Sequence, residues 1–176
     1  MSFGRKQLET WLKTIDVTGP VIDAGGLNWP VKGRTKSWDV YEYKILDIKA
    51  GADLVADLNK EIYTNTDSVD NIFCLEVMQF LFNPFNALHT FFNLLNPDGN
   101  LYISFHFIYP AMKGTDYLRY TKEGVERLLQ EAGFKIESIT PMLAAEPDKL
   151  LAFWQSEQKT IKHPKEIGWL VHARRL

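Results

Sequence analysis

The sequence predicts an α/β fold: a mainly parallel sheet with helices on both faces. Three observations lead there. Short apolar runs alternate along the chain with stretches of helical periodicity, the order expected of strand–helix–strand units. Several of those runs finish on glycine or a carboxylate, as in Val21-Ile22-Asp23-Ala24-Gly25-Gly26 and in the segments that carry Asp47 and Asp57. Helix punctuation is also in place, with Asn83-Pro84 at one start, Thr121 at another and Gly133 at an end.

Taken in order, Gln7 to Ile15 sets Leu8, Trp11, Leu12 and Ile15 at helical spacing and reads as one short amphipathic helix lying on the sheet. Gly19-Pro20 breaks the chain, and Val21 to Gly25 is the first strand. An apolar strand that stops on glycine lets backbone approach a ligand, because no Cβ intervenes. The residues after it, Leu27-Asn28-Trp29-Pro30, lack the Gly-Lys-Ser/Thr of a phosphate-cradling loop. Asn28 to Val40 reads as irregular, with the basic residues Lys32, Arg34 and Lys36. This cluster is either a solvated loop or a contact for an anionic acceptor.

Tyr43 to Ile48 is the second strand, with Asp47 near its end, and Asp53 to Asp57 the third. Ser68 to Leu75 is the fourth. A helix follows from Pro84 to Leu95 with Phe85, Leu88, Phe91, Phe92 and Leu95 on its apolar face, and the aromatic run Phe80, Phe82, Phe85, Phe91 and Phe92 is assigned to the core. Asn96-Pro97-Asp98-Gly99 is a turn, and Asn100 to Phe107 the fifth strand. After a loop over Ile108 to Arg119, Thr121 caps a helix that ends at Gly133. Phe134 to Thr140 is the sixth strand, Asp148 to Gln158 a further helix, and Gly168 to Ala173 the last strand.

The chain is 176 residues long, the size of one domain, with residues 1–18 as an N-terminal helical segment and 19–176 as the core. A hydrophobic share of 45% excludes a disordered chain, and a net charge of −2 offers no global attraction to nucleic acid or an anionic membrane. The single cysteine, Cys74, excludes an internal disulfide and a cysteine-rich zinc site; a cytoplasmic location is expected. No metal is expected. The N-terminus lacks the continuous apolar run of a signal peptide or membrane span, which predicts a soluble protein.

Three strings in this order resemble the class I S-adenosylmethionine-dependent methyltransferase family, most closely its small-molecule and glycan-type branch, and the resemblance runs from Val21 to Arg174. They are Val21-Ile-Asp-Ala-Gly-Gly26, Asn71-Ile-Phe-Cys-Leu-Glu-Val-Met-Gln-Phe-Leu-Phe-Asn-Pro-Phe-Asn-Ala-Leu88, and Leu94-Leu-Asn-Pro-Asp-Gly-Asn-Leu-Tyr-Ile-Ser104 continued by Asp116-Tyr-Leu-Arg-Tyr-Thr121 and Gln130-Glu-Ala-Gly-Phe134. The resemblance implies a three-layer, Rossmann-like, seven-stranded sheet of order 3-2-1-4-5-7-6 with strand 7 antiparallel. It also implies S-adenosyl-L-methionine as cofactor, across the C-terminal ends of the first four strands. Asp23 and Gly25 would line the methionine side, Asp47 would hold the ribose hydroxyls, Asp57 and Leu58 would border the adenine, and Cys74, Leu75 and Glu76 would form the floor.

The acceptor would be a small molecule or glycan-like compound methylated on oxygen or nitrogen, with a homo-oligomer possible. His106, at the end of the fifth strand, is the imidazole placed to act as general base, and Asp116 lies in the loop over the same mouth. Each has a plainer alternative: His106 as a structural histidine, Asp116 as the ion-pair partner of Arg119, Asp47 as a solvated turn carboxylate, Cys74 as packing. Leu27 and Trp29 stand where the family continues with glycine, and Gln79-Phe80 where it often has Glu-His. Those departures motivate a second expectation, a catalytically inactive relative acting as a binding or interaction module. A nicotinamide oxidoreductase is disfavoured because Gly-x-Gly-x-x-Gly is absent.

Overall fold

The computed structural model describes residues 2–60, 62, 68–112, 114–149, 152 and 165–176. Helix α1 (Phe3–Leu12) starts earlier than its apolar spacing predicts, because Ser2 caps it: the Ser2 Oγ accepts the Arg5 N–H at 3.2 Å. Leu8, Trp11 and Leu12, together with Ile15 just beyond the helix, are all buried.

Strands β2 (Val21–Ala24), β4 (Tyr43–Asp47), β5 (Leu54–Val55), β6 (Val69–Cys74), β7 (Leu95–His106), β8 (Phe134–Leu143) and β9 (Glu166–Arg175) form one sheet of order β5-β4-β2-β6-β7-β9-β8. Counting β2 as the first core strand, this is the order 3-2-1-4-5-7-6. β2, β4, β5, β6 and β7 pair in parallel, whereas β9 runs antiparallel to both β7 and β8. β8 and β9 each extend past their predicted ends, because they pair with one another along most of their length, from Phe134 opposite Arg175 to Leu143 opposite Glu166.

The stretch read as irregular carries structure of its own. β1 (Asp16–Thr18) and β3 (Ser37–Asp39) pair in parallel as a separate two-stranded sheet, held at its start by Ser37 Oγ–H and Lys36 Nζ donating to the Asp16 carboxylate at 2.7 and 3.1 Å. No local pattern announces a pairing across so many residues.

Helices α2 (Pro84–Leu94) and α3 (Lys122–Glu131) cover one face of the sheet, burying Leu88, Phe91, Val125 and Leu129 against Ile72, Leu101 and Val171. On the other face α1 packs with Val21, Phe73, Tyr102 and Leu170. One core assignment is corrected here. Phe82 and Phe85 are 64% and 50% exposed, since they lie just before and within the first turn of α2, at the sheet's C-terminal edge, where no strand runs beneath them. The helix expected over Asp148 to Gln158 falls almost wholly outside the described residues. No helix among the described residues is long and apolar enough to cross a membrane.

Candidate functional site

The C-terminal ends of β2, β4 and β6 make a ledge whose backbone is fixed by two unusual conformations. Gly25 has φ +82° and donates its N–H to Leu46 O at 2.7 Å; a Cβ on it would lie 2.3 Å from Val77 Cγ2. Glu76, a non-glycine residue, has φ +62°, and such left-handed backbone outside glycine is a cost the surroundings must offset. They do so with hydrogen bonds. The Glu76 N–H donates to Ser104 Oγ at 2.7 Å, and its carbonyl accepts Gln79 Nε2–H at 2.8 Å.

Asp23 sits under this ledge. Its carboxylate is buried and accepts the Val31 N–H and the Tyr43 O–H, both at 2.6 Å, so it ties the loop after β2 to β4. Burial pushes its carboxyl above the ordinary carboxylate value, against the lowering effect of those two bonds. Gly26 follows from the same arrangement: a Cβ there would lie 2.2 Å from the Asp23 Cγ.

Above the ledge opens a cavity of about 660 Å³, lined among others by Asp23, Gly25, Asp47, Asp57, Leu58, Leu75 and Glu76. Every residue expected to touch the cofactor is therefore at this cavity except Cys74, which is fully buried in the core beneath. Burial also pushes the Cys74 thiol well above its ordinary value, so it stays protonated. Asp47 ends β4 with Oδ1 accepting the Lys49 N–H at 3.0 Å; its Oδ2 has no partner among the described residues. Asp57 accepts the Asn59 N–H at 3.0 Å, and Asn59 in turn accepts from Phe82 N–H at 2.9 Å, which staples the far wall to the segment before α2.

A second cavity of about 840 Å³ adjoins the first and shares Arg5, Trp29, Arg34 and Glu76 with it. His106 lines this second space, buried, with its ring 4.2 Å centroid to centroid from that of Tyr109. Its Nε2 lies 2.9 Å from Glu76 Oε2. Glu76 lines both cavities and His106 only the second, so the carboxylate is the group the two spaces share.

Asp116 lines neither cavity. It forms a two-pronged pair with Arg119, at 2.5 Å on each prong, and accepts the Met112 N–H at 2.8 Å. The guanidinium hydrogen bonds hold its carboxyl down at about 2.

The departures from the glycine pattern do not fill the space. Trp29 stands at the border of the two cavities and is 72% exposed, while Leu27 lines neither. The Gln79 side chain is buried with its amide nitrogen on Glu76 O, its backbone carbonyl accepts the Tyr117 N–H at 2.8 Å, and Phe80 lines the first cavity.

Sequence reasoning passed over Arg5, and it gave Arg34 no intramolecular partner. Glu9 Oε1 accepts Arg5 Nε–H at 2.8 Å and Arg34 NH2 at 2.6 Å, so one carboxylate on α1 gathers two guanidinium groups at the cavity border. The Arg5/Glu9 spacing was a visible signal for the first pair; the second crosses from α1 to the loop after β2, and no local pattern carries it.

No protein-family model matches the chain, and no curated protein matches it in sequence. Solved structures do. A Mesorhizobium loti S-adenosylmethionine-dependent methyltransferase superposes with a TM-score of 0.66 at 17% identity, over 98% of either chain. The chain has the fold of the class I methyltransferases. The Burkholderia thailandensis 1,6-didemethyltoxoflavin-N1-methyltransferase, solved with its acceptor and S-adenosylhomocysteine, gives 0.61 at 14% identity over 98% of this chain and 76% of its own. SpnF, a [4+2]-cyclase, gives 0.67 at 13% over 96% and 80%, so this architecture is not confined to methyl transfer.

Proposed function

We propose that the protein is an S-adenosylmethionine-dependent methyltransferase of the small-molecule or glycan-type branch, which methylates an oxygen or nitrogen of its acceptor. The observation that carries the reading is the pair of cavities meeting at Glu76, one edged by the half-free carboxylate of Asp47 and the other by His106. Both volumes fall in the range of small-ligand sites, and both lie at the carboxyl ends of parallel strands, where open α/β sheets take their ligands.

The residues present fit a nucleoside cofactor. Asp47 supplies an acceptor-only oxygen for two adjacent hydroxyls. Leu58, Phe80 and Leu81 give the first cavity an apolar wall for a base. Bound there, S-adenosylmethionine would supply an activated methyl group. The chain's own contribution is then positioning and one proton. Glu76 Oε1 has no partner among the described residues and takes the proton of the acceptor's hydroxyl or amine, while His106 orients the carboxylate through Oε2. Asp116 contributes by holding the 109–119 loop closed on itself through Arg119, whose NH2 also reaches Tyr109 O at 3.4 Å.

Titration calorimetry with S-adenosylmethionine and S-adenosylhomocysteine, with NADH as control, tests the assignment. Binding of both sulfur compounds, weakened at least about tenfold by Asp47→Ala, is the expected result. A well-folded protein that binds neither sinks it, and binding of NADH instead would favour a nicotinamide site. A second reading, a non-catalytic binding module, is favoured by one observation: Gln79, standing where the family often carries a proton-handling pair, turns its amide to the Glu76 carbonyl and not to the cavities. S-adenosylhomocysteine binding without methyl release to any acceptor of a broad oxygen and nitrogen panel would select it.

A further inference from the structure

We infer that Arg5 is the side-chain receptor for the α-carboxylate of the cofactor's amino-acid tail. The inference rests on the methyltransferase reading and adds a residue to it. Arg5 lines both cavities, beside Trp29. Its Nε–H is spent on Glu9 Oε1 at 2.8 Å, and its Cζ lies 5.3 Å from the Trp29 ring centroid. Those two contacts fix the plane of the guanidinium and leave both terminal nitrogens without a partner among the described residues. Arg34 is not equivalent. Its Nε and NH2 go to Glu9, and its NH1 goes to the carbonyls of Trp29 and Pro30.

Charge is distributed along the first cavity in the sense such a ligand needs. Asp47 ends β4 and Asp57 lies just after β5, towards one edge of the sheet, whereas Arg5 arrives on α1, whose neighbours include β8 and β9 at the other. Two guanidinium groups share the single carboxylate of Glu9, which leaves that cluster with one positive charge in excess. A molecule with a sugar diol at one end and a carboxylate at the other matches both ends at once. An exposed guanidinium edge is the fork that pairs with a carboxylate through two parallel hydrogen bonds.

The loop after β2 has already committed two of its backbone donors. The Trp29 N–H is already given to Gly26 O at 3.1 Å, and Val31 N–H to Asp23. The N–H groups of Gly26, Leu27 and Asn28 have no partner among the described residues, so the side chain from α1 acts beside whatever the backbone offers there.

The test compares S-adenosylhomocysteine with 5′-methylthioadenosine, which keeps the adenosine and thioether but has no carboxylate. Calorimetry on the full chain and on Arg5→Ala should show affinity for S-adenosylhomocysteine falling about 10- to 100-fold, while that for 5′-methylthioadenosine changes by less than about twofold. Arg5→Lys, which keeps the charge but not the fork, should fall between. An unchanged S-adenosylhomocysteine affinity in Arg5→Ala overturns the proposal, and so does an equal loss for both compounds, because the residue would then act through the fold. If the unaltered protein binds neither compound, the methyltransferase reading itself fails and this inference goes with it. If it binds both and Arg5→Ala does not separate them, only the role of Arg5 is lost.

Discussion

His172 shows how much a single side chain can be asked to carry. Its Nε2 pairs with Asn100 Oδ1 at 2.9 Å, Asn100 donates to Asn71 at 3.3 Å, and Asn71 donates to Thr18 O at 2.7 Å, so β9, β7, β6 and β1 are laced together. Its ring stacks on Tyr102 with centroids 4.7 Å apart. Burial pushes the imidazole below its ordinary value; Arg174 acts in the same direction and Glu137 against it. A histidine whose folded value is lowered binds fewer protons in the native state than in the unfolded chain. Its contribution to stability is therefore complete above the ordinary histidine value and is lost as pH falls through the lower folded one. Thermal midpoints measured from pH 7 to pH 5 should fall more steeply for the unaltered protein than for His172→Gln. Asp116, held at about 2, acts below this window, and Asp23, whose carboxyl is raised, has the opposite sign. Parallel slopes in the two proteins would refute the assignment. None of this was legible in the sequence, where His172 is one alternating position of a strand. The place of Asp47 at the cavity was legible, because the end of a strand is fixed by topology; Cys74, one register step further inside, was not separable from its cavity-lining neighbours Leu75 and Glu76.

Elements whose ends are chemical signals were the readable ones. Thr121 Oγ1 accepts the Gly124 N–H at 3.1 Å, and Gly133 adopts φ +87°, so α3 starts and stops where its sequence says. Thr121→Ala should cost about 1 kcal/mol in urea denaturation, the ordinary worth of a cap, and Thr121→Ser almost nothing. A loss well below half of that would mean solvent satisfies the first turn unaided. Elements fixed by distant partners were not readable. β1 and β3 exist through a register that joins Asp16 to Ser37, and the exposure of Phe82 and Phe85 depends on where α2 begins relative to the sheet edge. Helical spacing reports which residues share a face and says nothing about whether that turn has anything beneath it. Phe82 meets Tyr117 edge-on at 5.8 Å, and both line the first cavity, so this misread aromatic belongs to the site's wall instead of the core.

At the scale of the molecule, the sheet separates two apolar clusters, and the site depends on both. The cluster under α2 and α3 supports Leu58, Leu81 and Cys74, at and below the first cavity's floor; the cluster under α1 holds the helix from which Arg5 and Glu9 reach the border. Leu12 is fully buried in the second cluster, away from either cavity. Leu12→Ala should destabilise the protein by about 2–5 kcal/mol, the usual cost of removing a buried leucine from a packed core. Where that loss appears decides whether the chain is one cooperative unit. β6 and β7 contribute Phe73 and Tyr102 to one cluster and Ile72, Leu101 and Ile103 to the other, so neither face can melt without unpacking strands that the opposite face also uses. Native-state hydrogen exchange at low urea should consequently report one opening free energy for the amides of Leu12 and Leu129, with the same urea dependence, and Leu12→Ala should lower both equally. Loss of protection confined to α1 would instead make that helix a separately melting cover. The basic end of the cavity would then form and dissolve independently of the acidic one.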